Sequence, residues 1–69
     1  MKTIGLVLTP KEAMILQVEL TESAYRLGAK AHQCRKEGKE ILADIYNDNE
    51  TEIIAVLDQL CTAMLAAEE

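Results

Sequence analysis

The chain is poor in the residues that usually anchor or interrupt a small fold. It has no Trp and no Phe, one Pro, three Gly and two Cys in 69 residues. So little Gly and Pro excludes a collagen-like or low-complexity chain. Two Cys are too few for the disulfide framework of a small secreted domain. No stretch approaches the roughly 20 apolar residues that a membrane span requires.

The amino terminus also lacks the features of a secretory leader. The apolar run Ile4–Leu8 is short and ends at Thr9 and Pro10. A signal peptide needs about 7–15 apolar residues followed by a small-residue cleavage site. We therefore expect a cytoplasmic protein that does not associate with a membrane.

The residues that are present indicate a folded chain that needs help to be stable. Hydrophobic residues make up 49% of the sequence, charged residues 28%, and the net charge is −5. This apolar content is too high for a disordered chain, and the length allows a single domain over 1–69. A chain this short buries only about 60% of its unfolded surface. Small scaffolds without metals or disulfides often gain stability by oligomerising.

The clearest local signal is the start of a helix. Thr9, Pro10 and Glu12 form the pattern of a capping box with Pro at the first helical position. We therefore expect a helix from Pro10. Residues 1–9 form a short extended arm or a strand, and a lone strand would have to pair with another chain.

The first helix is predicted to be long because an apolar or small residue recurs at steps of three and four. The stripe consists of Ala13, Leu16, Leu20, Ala24, Leu27, Ala31, Cys34, Gly38, Ile41 and Ile45. A loop would normally shift its phase, so we expect one helix over 10–46, bent at Gly28 or Gly38 if anywhere. An internal Gly costs about 1 kcal/mol relative to Ala, and a break near Gly38 therefore stays an alternative.

A turn is expected at 47–49, where two Asn flank an Asp and local side-chain hydrogen bonds favour turns. Asn49 would cap a second helix over 50–67, with Glu52 three residues later. The fold class is thus all-α: a helical hairpin of a long helix and a shorter antiparallel helix, with an extended N-terminal arm. The first helix would be roughly 55 Å long and the second roughly 27 Å.

This difference in length predicts the oligomer. The shorter helix would leave residues 10–28 uncovered, and an apolar half-helix in water is an aggregation liability. We expect a second copy to cover it, giving an oligomeric helical bundle, most simply a dimer. The candidate interface residues are Met14, Leu16, Val18 and Leu20.

Both helices carry a second, weaker apolar stripe. At about 100° per residue, one side of the first helix aligns an aromatic, a His and three apolar or small residues. In the second helix a similar stripe contains a Cys. These stripes are Met14, Val18, Tyr25, Ala29 and His32 in the first helix, and Ile54, Cys61 and Leu65 in the second.

A basic segment lies in the middle of this acidic chain. Residues 26–39 carry five cations and one acid, a net charge of +4, whereas the remaining residues carry −9. Clustered cations beside an aromatic ring can hold a phosphate or nucleotide by charge and stacking. The alternative is a solvated face with ion pairs to acids of the second helix or of another subunit. The candidate residues are Tyr25, Arg26, Lys30, His32, Lys36 and Lys39.

Catalysis and nucleic-acid binding are not expected. The negative charges around the basic segment would repel a long polyanion, and small nucleic-acid-binding modules are usually basic overall. No phosphate loop, nucleophile elbow or metalloprotease motif occurs, and His32 has no visible partner for acid–base work. Cys34 and Cys61 should lie near one another across the predicted turn, but their spacing with His32 matches no usual zinc site. We predict no catalytic residue, metal or cofactor.

The sequence therefore predicts a non-enzymatic binding protein. The first hypothesis is a small oligomeric interaction protein, such as a regulator, inhibitor or adaptor, that engages an acidic or apolar surface of another protein. The alternative is sequestration of a small anionic, nucleotide-like ligand by the basic segment at a subunit interface. A purely structural assembly subunit is a third class.

Overall fold

The computed structural model describes residues 3–68, and its two helices are nearly equal in length. Helix α1 spans Pro10–Lys36 and helix α2 spans Glu40–Glu68, with 27 and 29 residues respectively. They pack against each other as a helical hairpin. The all-α hairpin is confirmed, whereas the predicted pairing of a long helix with a much shorter one is wrong. Met1, Lys2 and Glu69 lie outside the described residues.

The start of α1 is the predicted one. The Thr9 hydroxyl accepts a hydrogen bond from the Glu12 backbone N–H at 3.2 Å, and the Glu12 carboxylate accepts one from the Thr9 N–H at 2.9 Å. Pro10 occupies the first helical position. This reciprocal box satisfies two backbone donors that the helix itself leaves unpaired. The same hydrogen bonds lower the pKa of the Glu12 carboxyl, the backbone N–H of Thr9 contributing most.

The chain reverses at Gly38, and the predicted continuous helix over 10–46 is wrong. Gly38 has φ +77°, a left-handed conformation that glycine adopts without a side-chain clash. The Lys39 N–H donates to the Cys34 carbonyl at 2.8 Å, and the Gly38 N–H donates to the Arg35 carbonyl at 3.2 Å. This pair of bonds is the Schellman arrangement that ends many helices. The alternative break near Gly38 is therefore the observed one, and α1 continues through Gly28 without interruption.

The predicted turn at 47–49 lies inside α2. Asn49 is therefore not a cap, and the predicted second helix over 50–67 begins ten residues too late. Packing against α1 overrides the turn preference of these residues, because Asn47 and Glu50 are half-buried against the first helix. The Asn47 side-chain oxygen can accept from both terminal nitrogens of Arg35, at 2.6 and 3.2 Å.

The seam between the helices is built from small side chains. No large side chain is fully buried among the described residues. Small residues let two helix axes approach closely. At the glycine of this seam, Gly28, a Cβ would meet the Glu50 carboxylate of α2, which is the flexible end of its side chain and would have to shift. The buried residues are Ala13, Ala24, Ala31, Cys34 and Ala43.

Residues 3–9 form an extended arm with no strand in the described part of the chain. Within that part, residues 3–8 make no backbone–backbone hydrogen bond. Val7 is 96% exposed, whereas Leu8 is half-buried. Within the single chain no strand forms over residues 3–9, and the first two residues of the predicted arm lie outside the described range.

Candidate functional site

The register of the hairpin decides which side chains share a surface. Gln17 donates to the Cys61 sulfur at 3.4 Å near the open end, and Arg35 donates to the Asp44 carboxylate at 3.2 Å near the turn. Residues that face each other therefore have numbers that add up to about 78. Successive residues are about 100° apart around a helix axis. This rotation places the remaining side chains on one or the other of the two broad sides of the hairpin.

One broad side, here called the apolar flank, is aliphatic along the whole length of α2. Leu16 of α1 lines it together with Val56 and Leu60 of α2, and Tyr46 lies on it beneath Lys30. Helix α2 contains seven acids and no cation. None of the six acids between residues 40 and 58 lies on this flank; Glu52 lies at its outer rim. The apolar flank consists of Leu16, Ser23 and Leu27 of α1 and Leu42, Ile45, Tyr46, Asn49, Ile53, Val56, Leu60, Ala63 and Ala67 of α2.

The apolar flank becomes concave at the open end, where the arm lies beside it. The groove has a volume of about 680 Å³. Gln59 is the only polar side chain among the described residues that line it. Ile4 and Val7 of the arm reach the groove but remain almost fully exposed. A single chain therefore leaves this groove unfilled.

A second apolar cluster caps the turn end of the hairpin. Ile41 is 81% exposed and is accompanied by the exposed side chains of Leu42 and Ile45. Together with residues 38–40 they line a depression of about 520 Å³. The sequence analysis assigned Ile41 and Ile45 to the stripe of the first helix, and this assignment is wrong because both residues belong to α2.

The opposite broad side, here called the mixed flank, combines apolar and charged groups. The hairpin brings most residues of the two weaker sequence stripes to this side, and Ala29 and Cys61 are the exceptions. Tyr25 is 79% exposed at its centre. Its residues are Met14, Val18, Tyr25, His32 and Lys36 of α1 and Asp44, Thr51, Ile54, Asp58 and Leu65 of α2.

The structure does not gather the predicted basic residues into one site. Tyr25, His32 and Lys36 lie on the mixed flank. Lys30 lies on the opposite side, with its Nζ 5.7 Å from the centre of the Tyr46 ring. Arg26 donates to the hydroxyl of Ser23, a residue of the apolar flank, at 3.4 Å.

Lys39, the last of the predicted basic residues, lies in the connection between the helices. It pairs with Glu37 at 3.1 Å. This hydrogen bond raises the pKa of Lys39. The pKa of Glu37 is lowered, first by the hydrogen bond from Gln33 and then by Lys39.

Acids of α2 lie at the same level along the hairpin as the basic segment of α1. By the register above, residues 26–36 lie opposite residues 42–52, which carry four acids: Asp44, Asp48, Glu50 and Glu52. Arg35 forms an ion pair with Asp44 at 3.2 Å. This is one ion pair of the kind that the alternative interpretation predicted; Arg26, Lys30 and Lys36 form no ion pair with the described residues of α2.

The predicted interface residues divide between surfaces. Met14 and Val18 are exposed on the mixed flank, whereas Leu16 and Leu20 are half-buried toward α2. Sequence reasoning missed the most uniform surface, the apolar flank of α2. Its signal is nevertheless readable: from residue 42 to residue 67, positions three or four apart carry no charge in a helix with seven acids.

The two cysteines do not meet, contrary to the expectation from the predicted turn. Cys34 is buried near Gly38, and Cys61 lies opposite Gln17 toward the open end. Because Cys34 lies level with Asp44 on α2, about 25 Å of helix separates the two thiols. Both are free thiols.

In the range 3–68, no group of three or more His, Cys, Asp or Glu side chains lies close enough to hold a metal ion. None of the helices described has an apolar stretch long enough to cross a bilayer. Comparisons with protein-family models, curated protein sequences and solved structures found no match to this chain.

Proposed function

We propose that this chain is a non-enzymatic interaction protein that associates with copies of itself and engages another protein through an exposed flank. The observation that carries the proposal is the small-residue seam. Alanines and Cys34 are the only buried hydrophobic residues among those described, and several large aliphatic side chains of both helices are exposed, among them Met14, Val18 and Val56. Contiguous exposed apolar surface of this kind usually marks an interaction site.

The shape of one chain supports self-association. Its radius of gyration is 14.8 Å and its extents are 47 × 28 × 15 Å. A compact domain of this length has a radius of about 11 Å. The hairpin is thus a thin slab whose two broad sides both carry apolar side chains, and one slab cannot cover both sides by itself.

The mixed flank is the surface we assign to another protein. Tyr25 is a large, exposed aromatic side chain, and aromatic residues are enriched in the centres of protein interfaces. Met14 and Val18 extend its apolar surface toward the open end, and Lys36 adds positive charge toward the turn. An apolar surface with acidic groups at one edge would complement this flank. A regulator, inhibitor or adaptor would act by occupying or bridging such a surface.

Binding without catalysis is favoured by the lining of the groove. It presents aliphatic side chains and a single amide, which offer no nucleophile or proton-transfer group. His32 is exposed on the other broad side. We also propose the cytoplasm as its compartment, since free thiols suit a reducing environment.

The anionic-ligand alternative stays a prediction that no observed contact favours. Lys30 and Lys36 lie on opposite sides of α1, and Arg35 is already paired with Asp44. Two copies would have to bring these cations together.

Site-specific photocrosslinking in cells tests the assignment of the mixed flank. A benzophenone amino acid at Tyr25 should crosslink to a different protein, whereas the same group at the exposed outer position Gln33 should not. Crosslinks to other copies of the chain alone would contradict the binding role and support a structural assembly subunit. An equal pattern from both positions would contradict the assignment of the surface.

A further inference from the structure

We infer that the apolar flank is the docking site for a second copy of this chain, which lies antiparallel to the first. The two copies are related by a two-fold axis that passes near Ser23 of α1 and Val56 of α2. This inference rests on the self-association in the proposed function and adds to it the surface, the orientation and the contacts.

On the apolar flank, helix α2 presents no charged residue from residue 42 to residue 67. Seven acids occur in this helix, and placing two such helices side by side would normally bring like charges together. The apolar flank avoids this, because its α2 residues are aliphatic apart from Tyr46 and Asn49. Rotation about the axis sets Glu52, at the rim, beside Gln59 of the second copy rather than beside another acid.

At the α1 edge of the same flank, the acidic residues precede the basic residues along the chain. Glu12 and Glu19 come first, and Arg26 and Lys30 follow. Reversal about Ser23 sets the acidic half of one α1 against the basic half of the other, so that Glu19 faces Arg26 of the second copy. A parallel arrangement of the two α1 helices would instead set like charges against each other. Self-complementary patches of this kind define two-fold interfaces and fix their register.

The two ends of the hairpin also favour an antiparallel second copy. An antiparallel second copy places its turn over the open end of the first. The arm of each copy then reaches the Ile41 cluster of the other. These two regions include some of the most exposed aliphatic side chains in the described chain, among them Val7 and Ile41. One rotation therefore covers both regions.

The solvent-accessible surface area of one chain is large enough to supply such an interface. The chain exposes 5797 Å², whereas a compact monomer of its 7.6 kDa mass exposes roughly 4,300 Å². The difference of roughly 1,500 Å² exceeds the ~800 Å² per partner that a standard stable interface buries. The mixed flank is the poorer candidate for this contact, because Asp44 and Asp58 interrupt its α2 side.

Charge exchange across the axis tests the docking directly. Purified Glu19→Arg and Arg26→Glu variants should each dimerise about tenfold more weakly than the natural chain at low salt, because each places two like-charged pairs across the interface. The double exchange Glu19→Arg with Arg26→Glu should restore the affinity. An equimolar mixture of the two single variants should also recover it, by forming heterodimers that native mass spectrometry resolves by mass. Both positions are exposed, and matching circular dichroism spectra control for the fold.

The outcomes separate this inference from the proposed function. A natural chain that stays monomeric at all concentrations contradicts the self-association itself. A natural chain that oligomerises while both single variants keep its affinity overturns only the docking described here. A mixture that remains as weak as its two components overturns the antiparallel contact of Glu19 with Arg26.

Discussion

The seam between the two helices and the apolar flank beside it differ in the size of their side chains and in their exposure to water. The seam is closed and contains four alanines and Cys34. The flank is open and contains Leu, Ile and Val, with Val56 49% exposed. In a self-sufficient helical bundle the large residues would be expected to be fully buried, whereas the large flank residues of this chain are half-buried, as Leu16 and Leu60 are, or exposed.

The difference shows where the stabilising energy of the fold comes from. Burying a Leu, Ile or Val side chain stabilises by about 1.5–3 kcal/mol, and each methylene-sized group contributes about 0.8 kcal/mol. A seam of methyl groups therefore aligns the helices but contributes little. The larger contribution becomes available only when the flank is covered, and in our proposal a second copy covers it.

The largest expected effect comes from a charge on the flank. Val56→Glu should weaken self-association by at least ~100-fold, because two carboxylates would meet at the axis in an apolar contact. Sedimentation equilibrium measures this change. Val18→Glu is the matched control, since Val18 is 55% exposed on the mixed flank. If Val18→Glu dissociates the oligomer and Val56→Glu does not, the second copy binds the mixed flank and our assignment to the apolar flank is wrong.

A larger residue in the seam should give the next largest effect. Ala31 is 2% exposed, and Ala31→Leu should destabilise the hairpin by about 1–3 kcal/mol because the helices cannot separate without losing contacts. Urea unfolding at fixed chain concentration measures the loss. Ala29→Leu, two positions away on the exposed surface, should change stability by less than about 0.5 kcal/mol. Equal effects of the two variants would contradict a closed seam.

The turn that aligns the seam provides a smaller effect. Gly38→Ala should cost about 1 kcal/mol, since a side chain at φ +77° is strained. Gly5 has no atom near its missing Cβ and lies in the arm, so Gly5→Ala serves as the control and should leave the unfolding midpoint unchanged. If both variants unfold at the natural midpoint, then the left-handed turn is not what aligns the helices.

The smallest effect is a pH dependence at the capping box, at the start of α1. The pKa of Glu12 is lowered from 4.5 by its hydrogen bonds with Thr9. The ionised carboxylate therefore stabilises the fold above the unfolded-state pKa, and this stability is lost as the pH falls through the folded-state pKa. Glu12→Gln should be less stable than the natural chain at neutral pH and equal to it in acid. Urea midpoints across this range measure the difference, and a constant difference would contradict it.

Much of the fold was predictable from local chemistry. Thr9, Pro10 and Glu12 specified the start of α1, because a capping box depends only on neighbouring residues. The helical hairpin followed from the apolar periodicity. The position of the turn was misassigned because Gly38, Ile41 and Ile45 continue the phase of the first stripe, which concealed the interruption.

The surfaces were harder to predict because they depend on the register of the hairpin. With the turn misplaced, the second helix seemed too short, and residues 10–28 were expected to be bare. The observed α2 reaches the start of α1, and that argument for an oligomer is wrong; the exposed aliphatic flank now supports self-association instead. The weaker stripes through Val18 and Ile54 were identified correctly as patterns, but only the register places them on one side. The basic residues could not be assigned to separate surfaces, since the side of the hairpin on which each lies depends on the same register.

The central claim is that one hairpin cannot cover its own large aliphatic side chains. Sedimentation equilibrium of the natural chain over a wide concentration range, with thermal unfolding of the same samples, tests this most directly. We expect a mass of twice 7.6 kDa or more, and an unfolding midpoint that rises with concentration. A well-folded chain of 7.6 kDa whose midpoint does not change with concentration would contradict the account.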